Sequence, residues 1–524
     1  MIKRRKLKKI GKQEKAESSP GEIEQTSVSN QMPTVELTSD LTSNLELVKN
    51  EIGHNPDVVF RQFKLGFTDL QSAVVFIDGL TDHDLIDKEI IKALTLNVAE
   101  SYPAKRLPEN ITDFLKDHVL PISKIKEVHS LKGIVREVLK GSTALFIDGI
   151  SEVFILGTQS WKSRAVEEPI TESLVRGPRL GFNETLVDNI SLLRRGLPAS
   201  ELTIVPYEVG RRTKKNLVIA YMDGIANPDL VQEVKSRIER IDIDDVPESG
   251  YIEHLIEDNY VSPFPQVQST ERPDRVMSSL LEGQVAILLD GTPFVLIVPL
   301  TFFMLLQSPE DYYSRWIPST LLRFMRFVAA FFSLFLPSLY IAFLSFHQGL
   351  IPTKLAISIA GTREGVPFPA FIEALLMEVA IEVLREAGLR LPRPVGQTVG
   401  LVGGLVIGEA AVRAGIVSPM KVIVVAITAI SSFAIPMYEA GIALRMLRFA
   451  GMFCATLLGL YGVILFFLML SIHFVKLKSF GVPYISPAVP YRLSDWKDFI
   501  LRIPISKMKR RPKMMHPQDK VRQR

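Results

Sequence analysis

The chain has 524 residues, 61 Lys and Arg against 57 Asp and Glu, a formal net charge of +4 and a hydrophobic fraction of 47%. Its single cysteine, Cys454, lies inside an apolar run, which excludes an internal disulfide and a cysteine metal cluster and suits a reducing compartment. The composition averages two unlike halves, an ordinary soluble stretch of roughly 280 residues and, from about residue 321, a strongly apolar one.

In chain order, residues 1–54 form a basic and then polar leader with few aromatics, the composition of a disordered segment. It lacks the apolar core of a secretory signal, so the head that follows is expected to stay cytosolic. Within the head a short apolar run ending in Asp-Gly recurs four times: Val74–Gly79, Ala144–Gly149, Val218–Gly224 and Ala286–Gly291. Asp-Gly favours the positive φ of tight turns, and the second and fourth copies lead straight into further apolar runs, as hairpins require. Val285–Leu306 could pass as a membrane crossing. With Asp290, Pro293 and Pro299 inside it, it reads instead as a hairpin closing the head and an approach to the membrane. Apolar spacing predicts helices over Ile111–Pro121 and Asp229–Ile241. The head is therefore expected to be α/β, with one subdomain over 55–198 and a second over 199–300.

Residues 301–476 are expected to form an all-α polytopic membrane domain. Its apolar runs give spans at about 321–346, 394–413, 420–438 and 449–475, each near the ~20 residues needed to cross ~30 Å of hydrocarbon. Even parity puts both basic ends on one side. The tail, 477–524, carries nine Lys or Arg against Asp519 alone between Arg502 and Arg524. Positive-inside bias and attraction to anionic lipid headgroups explain these ends more simply than nucleic acid does.

Three features could carry function. Residues 368–389 are strongly helical but too charged to span, and read as an amphipathic interfacial helix with Glu378, Glu382 and Glu386 on one face. In a symmetric oligomer that face would stack rings of carboxylates around a pore or vestibule; a solvated acidic face is the plain alternative. Gly400, Gly404 and Gly408, four apart, make a groove for close helix packing within the chain or against a neighbour. Glu409 and Arg413 are spaced to pair one turn later. No phosphate-binding loop, HExxH helix or GxSxG elbow occurs, so no catalytic, metal or cofactor residues are expected.

Longer motifs resemble a known family. They are EEPITESLVRGPRLGFNETLVDNISLLRRGL (Glu167–Leu197), LLDGTPFVLIVP (Leu288–Pro299), QSPEDYY (Gln307–Tyr313), the stretch from Glu364 to Pro419, and FGVPYISPAVP (Phe480–Pro490). Across Asp57–Pro490 the chain resembles the A subunits of the GerA family of spore germinant receptors. The resemblance implies a non-enzymatic protein of the inner spore membrane, with head and tail on the cytosolic (spore core) side. It implies two partners, a permease-like B subunit holding the nutrient pocket and a C-subunit lipoprotein. It further implies a homo-oligomeric, ion-conducting channel that opens when the B subunit binds nutrient. The A-like protein associated with the spore dipicolinate channel shares these motifs and stays open as an alternative. A non-conducting scaffold and a secondary transporter are the other readings; the lack of a visible inverted repeat counts against the transporter.

Overall fold

A computed structural model describes residues 37–66, 70–97, 119–160, 168–169, 171–392, 403–404, 406–492, 494–499 and 501–523. The helix expected over 111–121 falls mostly outside these residues, as does the leader up to residue 36.

The head contains two five-stranded antiparallel sheets. The first unit runs α1 (Leu41–Ile52), β1 (Val58–Lys64), β2 (Gln71–Ile77), two π-helical turns, β3 (Ile125–Val128), α2 (Leu131–Val138), β4 (Thr143–Ile147) and β5 (Val153–Leu156). The second runs α3 (Leu186–Gly196), β6 (Leu202–Val209), β7 (Lys215–Met222), α4 (Pro228–Glu239), α5 (Ser249–Ile256), β8 (Gln268–Thr270), α6 (Pro273–Leu281), β9 (Val285–Leu289) and β10 (Val295–Val298). Spatial order is β1-β2-β4-β5-β3 in one sheet and β6-β7-β9-β10-β8 in the other, the same arrangement twice.

The recurring Asp-Gly sits at corresponding corners of both units. Each of its glycines, Gly79, Gly149, Gly224 and Gly291, has φ between 69° and 89°, a region where a side chain is strained. The hairpin aspartates also cap the first helix of their unit. Asp148 accepts from the Leu41 N–H at 3.2 Å, and Asp290 from the Leu186 N–H at 3.1 Å. Asn44 and Asn189 repeat the match, each bonding the backbone six residues before it. These details make the head a structural duplication.

Both faces of each sheet are covered. In β4, Ala144 and Phe146 face one apolar cluster while Leu145 and Ile147 face another. The central strands are therefore continuously apolar rather than alternating. The two units are joined by Arg194, fully buried, which donates to both carboxylate oxygens of Asp57 (2.8 and 3.0 Å) and to the Leu202 carbonyl (2.8 Å).

After the head, the described residues form a short helix, Glu310–Tyr313, and five longer ones: α7 (Trp316–Ser345), α8 (Thr353–Arg363), α9 (Ala370–Arg390), α10 (Pro419–Phe433) and α11 (Tyr438–Lys476). Residues 406–413 are also helical. Two helices, α7 and α11, are long and apolar enough to cross a membrane. However, α11 leaves helical geometry at Gly459 (φ 60°, ψ −137°), inside the run 449–475 expected as one crossing. Its halves fold back on each other: a Cβ on Gly451 would lie 3.2 Å from the Phe466 ring. Fifteen residues apart on one straight helix, they would be separated by about 22 Å. The turn sits against Phe346 and His347 at the end of α7, while His473, near the end of α11, returns to Ser262 of the head at 2.9 Å. The base of the head and the bundle share one core that runs from Phe264 and Leu305 to Leu334, Met452 and Phe466.

Candidate functional site: charges inside the apolar bundle

The bundle buries several charges inside its apolar core and exposes apolar side chains. On α10 and α11, Ile423, Ile430, Phe433, Phe453 and Leu457 are exposed, whereas Glu373, Glu378, Lys421 and Arg448 are 0–1% exposed. A soluble protein distributes these types the other way round.

The site begins with a proline. Pro337 lies inside α7 and has no N–H, so the carbonyl four residues earlier, on Ser333, loses its helical donor. Arg448 of α11 fills the gap, donating from Nε to the Ser333 oxygen at 2.8 Å, while its Nη1 pairs with Glu378 of α9. Three helices thus meet on one guanidinium. One turn further along α9, Glu382 lies 3.4 Å from Arg445 and 3.5 Å from Arg385, and Arg385 donates to Ser432 Oγ of α10 at 2.9 Å. At the other end, Glu373 accepts from Arg363 at 2.6 Å and from the Ser418 N–H at 3.0 Å. These contacts orient α9 parallel to α10 and antiparallel to the first half of α11.

The three candidate carboxylates therefore occupy different surroundings. Glu378 is buried in an ion pair, Glu382 is partly covered, and Glu386 is exposed and pairs with Arg390 at 2.7 Å. Glu382 and Glu386 line an open groove with Val379, Val383 and Phe449. Lys421 places its ammonium 4.9 Å from the Tyr340 ring without a hydrogen-bond partner among the described residues. Ser333 Oγ, Ser338 Oγ and Glu378 Oε1 are likewise unpartnered there.

Of the glycine ladder, Gly400 lies outside the described residues. Among the described residues, a Cβ on Gly404 would meet nothing within 4 Å, one on Gly408 only Val422 at 3.7 Å, and one on Gly403 would press on Leu384 at 2.9 Å. Glu409 and Arg413 pair at 2.6 Å on an exposed surface. Sequence reasoning missed Glu373, Lys421, Arg445 and Arg448, although the two arginines are one turn apart and flank the run that begins at Phe449.

A second knot ties the start of α7 to the tail. Arg323, fully buried, meets Asp311 (3.2 Å) and Asp498 (2.9 Å), and Arg502 donates to the carbonyls of Tyr312 and Ser314. Burial, then the Asp498 charge, holds the Tyr312 hydroxyl in its protonated form well past the usual range. The same two causes push the Glu282 carboxyl up to about 7, with Arg522 at 3.2 Å opposing them.

Comparison with known proteins gives the family of the chain. The family model described as Bacillus/Clostridium GerA spore germination protein matches residues 46–514. Spore germination protein GerLA of Bacillus cereus is 44% identical over 485 residues, covering 93% of this chain and 97% of its own. Spore germination protein KA of Bacillus subtilis (strain 168) is 44% identical over 488 residues, covering 93% and 89%. The membrane protein YfkQ of the same organism is 43% identical over 482 residues, covering 91% of each. The crystal structure of the N-terminal domain of the A subunit of the Bacillus megaterium spore germinant receptor GerK3 is 31% identical, covering 52% of this chain and 99% of that one, with a TM-score of 0.42.

Proposed function

Because the chain belongs to the GerA family of spore germination proteins, we propose that it is the A subunit of a germinant receptor in the inner spore membrane. With copies of itself it forms an ion-conducting path that opens when a permease-like B subunit binds nutrient; a C-subunit lipoprotein completes the complex. Head and tail lie on the spore-core side. The helices α7, α9 and α10, the turns at 406–413 and the two halves of α11 then cross or enter the bilayer.

The observation that supports this reading is the set of charges buried in the bundle, Glu373, Glu378, Lys421 and Arg448, beneath exposed apolar side chains. Ionised side chains inside an apolar shell are costly, and membrane proteins keep them where ions, protons or water must pass. Glu382 and Glu386, paired with Arg445 and Arg390, border a largely apolar groove, a face that subunits could turn toward a common axis. Among the described residues nothing lies within 4 Å of a Cβ on Gly404, room that a neighbouring helix could use.

Recording from purified full-length protein in planar bilayers tests the proposal. Discrete conductance steps are the expected result. A folded, oligomeric preparation that stays silent would leave a scaffold, the second reading.

A further inference from the structure

Between the base of the head and the returning tail lies a cavity of about 340 Å³, large enough for a small organic ligand. Thr301 lines it. This residue is fully buried, and its hydroxyl has no hydrogen-bond partner among the described residues. An unmet buried hydroxyl is destabilising, a loss that a hydrogen-bonding ligand oxygen would offset.

The wall is strongly cationic. Lys497, Lys507, Lys509, Arg510 and Lys513 all line the cavity, and among the described residues none of them forms an ion pair or a side-chain hydrogen bond. The acids on the same wall are already engaged. Asp495 accepts the backbone N–H groups of Lys513 and Met514 at 3.1 Å each, Asp498 holds Arg323 at 2.9 Å, and Glu282 faces Arg522 at 3.2 Å. Five cations, each partly open to solvent, therefore line the space against a single carboxylate without an ion pair, Asp495. Scattered surface lysines are ordinarily just solvated; a concave arrangement over a buried orphan hydroxyl is not that.

We propose that this cavity binds a phosphate-bearing polyanion, with Thr301 on one oxygen and the tail cations around the rest. The proposal is independent of the conducting role. Two sources share the chemistry: a free phosphorylated small molecule and the headgroup of an anionic lipid. The second is sterically reasonable because Phe303 and Phe499, on the cavity wall, meet edge to face with ring centroids 4.0 Å apart, and Phe499 lies 6.1 Å from Phe327 of α7. An occupant would also fasten the tail where Asp498 grips α7.

The test uses full-length protein in uncharged detergent titrated with sodium pyrophosphate, and the same protein in phosphatidylcholine discs with and without phosphatidylglycerol. The triple variant Lys507→Gln, Lys509→Gln, Arg510→Gln and the single Thr301→Val are compared with the parent. Pyrophosphate should raise the melting temperature of the parent and bind the triple variant about ten-fold or more weakly, since each lost charge-assisted contact is worth about one decade. Thr301→Val should bind weakly yet melt no lower than the parent without ligand, because it removes an unsatisfied group; that separates ligand loss from misfolding. Protection by phosphatidylglycerol but not by pyrophosphate, again lost in the triple variant, would assign the site to lipid. Protection by neither, or equal protection of parent and triple variant, overturns the proposal.

Discussion

Arg448 joins α7, α9 and α11 through the Ser333 carbonyl and the Glu378 carboxylate. Both partners of that pair are buried, so removing one strands the other, a loss of about 3–5 kcal/mol. Arg448→Leu should therefore lower the melting temperature of the detergent-solubilised protein sharply. The double variant Glu378→Leu/Arg448→Leu should recover much of that loss, because two apolar side chains leave no orphan charge. Failure of the double variant to recover would show that the arginine acts through Ser333 alone. Arg194 poses the same problem in the head: Arg194→Ala abandons Asp57 and the Leu202 carbonyl together and should cost about 3–5 kcal/mol in an unfolding titration. At the tail, the fold favours protonated Glu282, whose carboxyl rises from 4.5 to about 7. Its contribution is full below pH 4.5 and is lost as pH climbs through 7. Glu282→Gln should then melt higher than the parent at pH 8 and level with it near pH 4, as read by thermal scans at both values.

Among the elements, α11 depends on one glycine. At φ 60° and ψ −137° a side chain at Gly459 is strained, and its Cβ would lie 2.8 Å from the Phe346 ring. Gly459→Val should abolish monodisperse protein on size-exclusion chromatography. Gly404→Leu is the opposite case: with nothing among the described residues within 4 Å of its Cβ, the variant should melt like the parent and lose only assembly with partner subunits. These two glycines show what the sequence makes legible. The Asp-Gly corners could be read directly because positive φ is a local demand, met by the glycine itself. The turn in α11 could not, since Gly459 sits in an apolar run long enough for a straight crossing and carries no proline to mark it. Glu378, Glu382 and Glu386 were visible as a stripe by their four-residue spacing. Their unequal burial was not, because Arg448 and Arg445 arrive from α11, some seventy residues away. The tail showed only its charge, and charge alone does not distinguish a headgroup-seeking segment from one that docks on Arg323 and Glu282.

At the scale of the molecule, a duplicated head stands on a bundle that buries Glu373, Glu378, Lys421 and Arg448, and the tail ties the two together, through Asp498 to Arg323 of α7 and through Arg522 to Glu282 of the head. The bundle and the base of the head share a core, so movement of α7 cannot leave the head untouched. That continuity gives a partner subunit acting on either part a route to the other. The account rests on the outer carboxylates of α9 facing a shared ion path in the assembled complex. Reversal potentials under a salt gradient, recorded for the parent and for Glu386→Gln reconstituted in bilayers, test this most directly. The exposed, peripheral position of Glu386 leaves folding intact when it is changed. The account predicts cation preference in the parent and a clear fall in the cation-to-anion permeability ratio in the variant; an identical reversal potential for both proteins would contradict it.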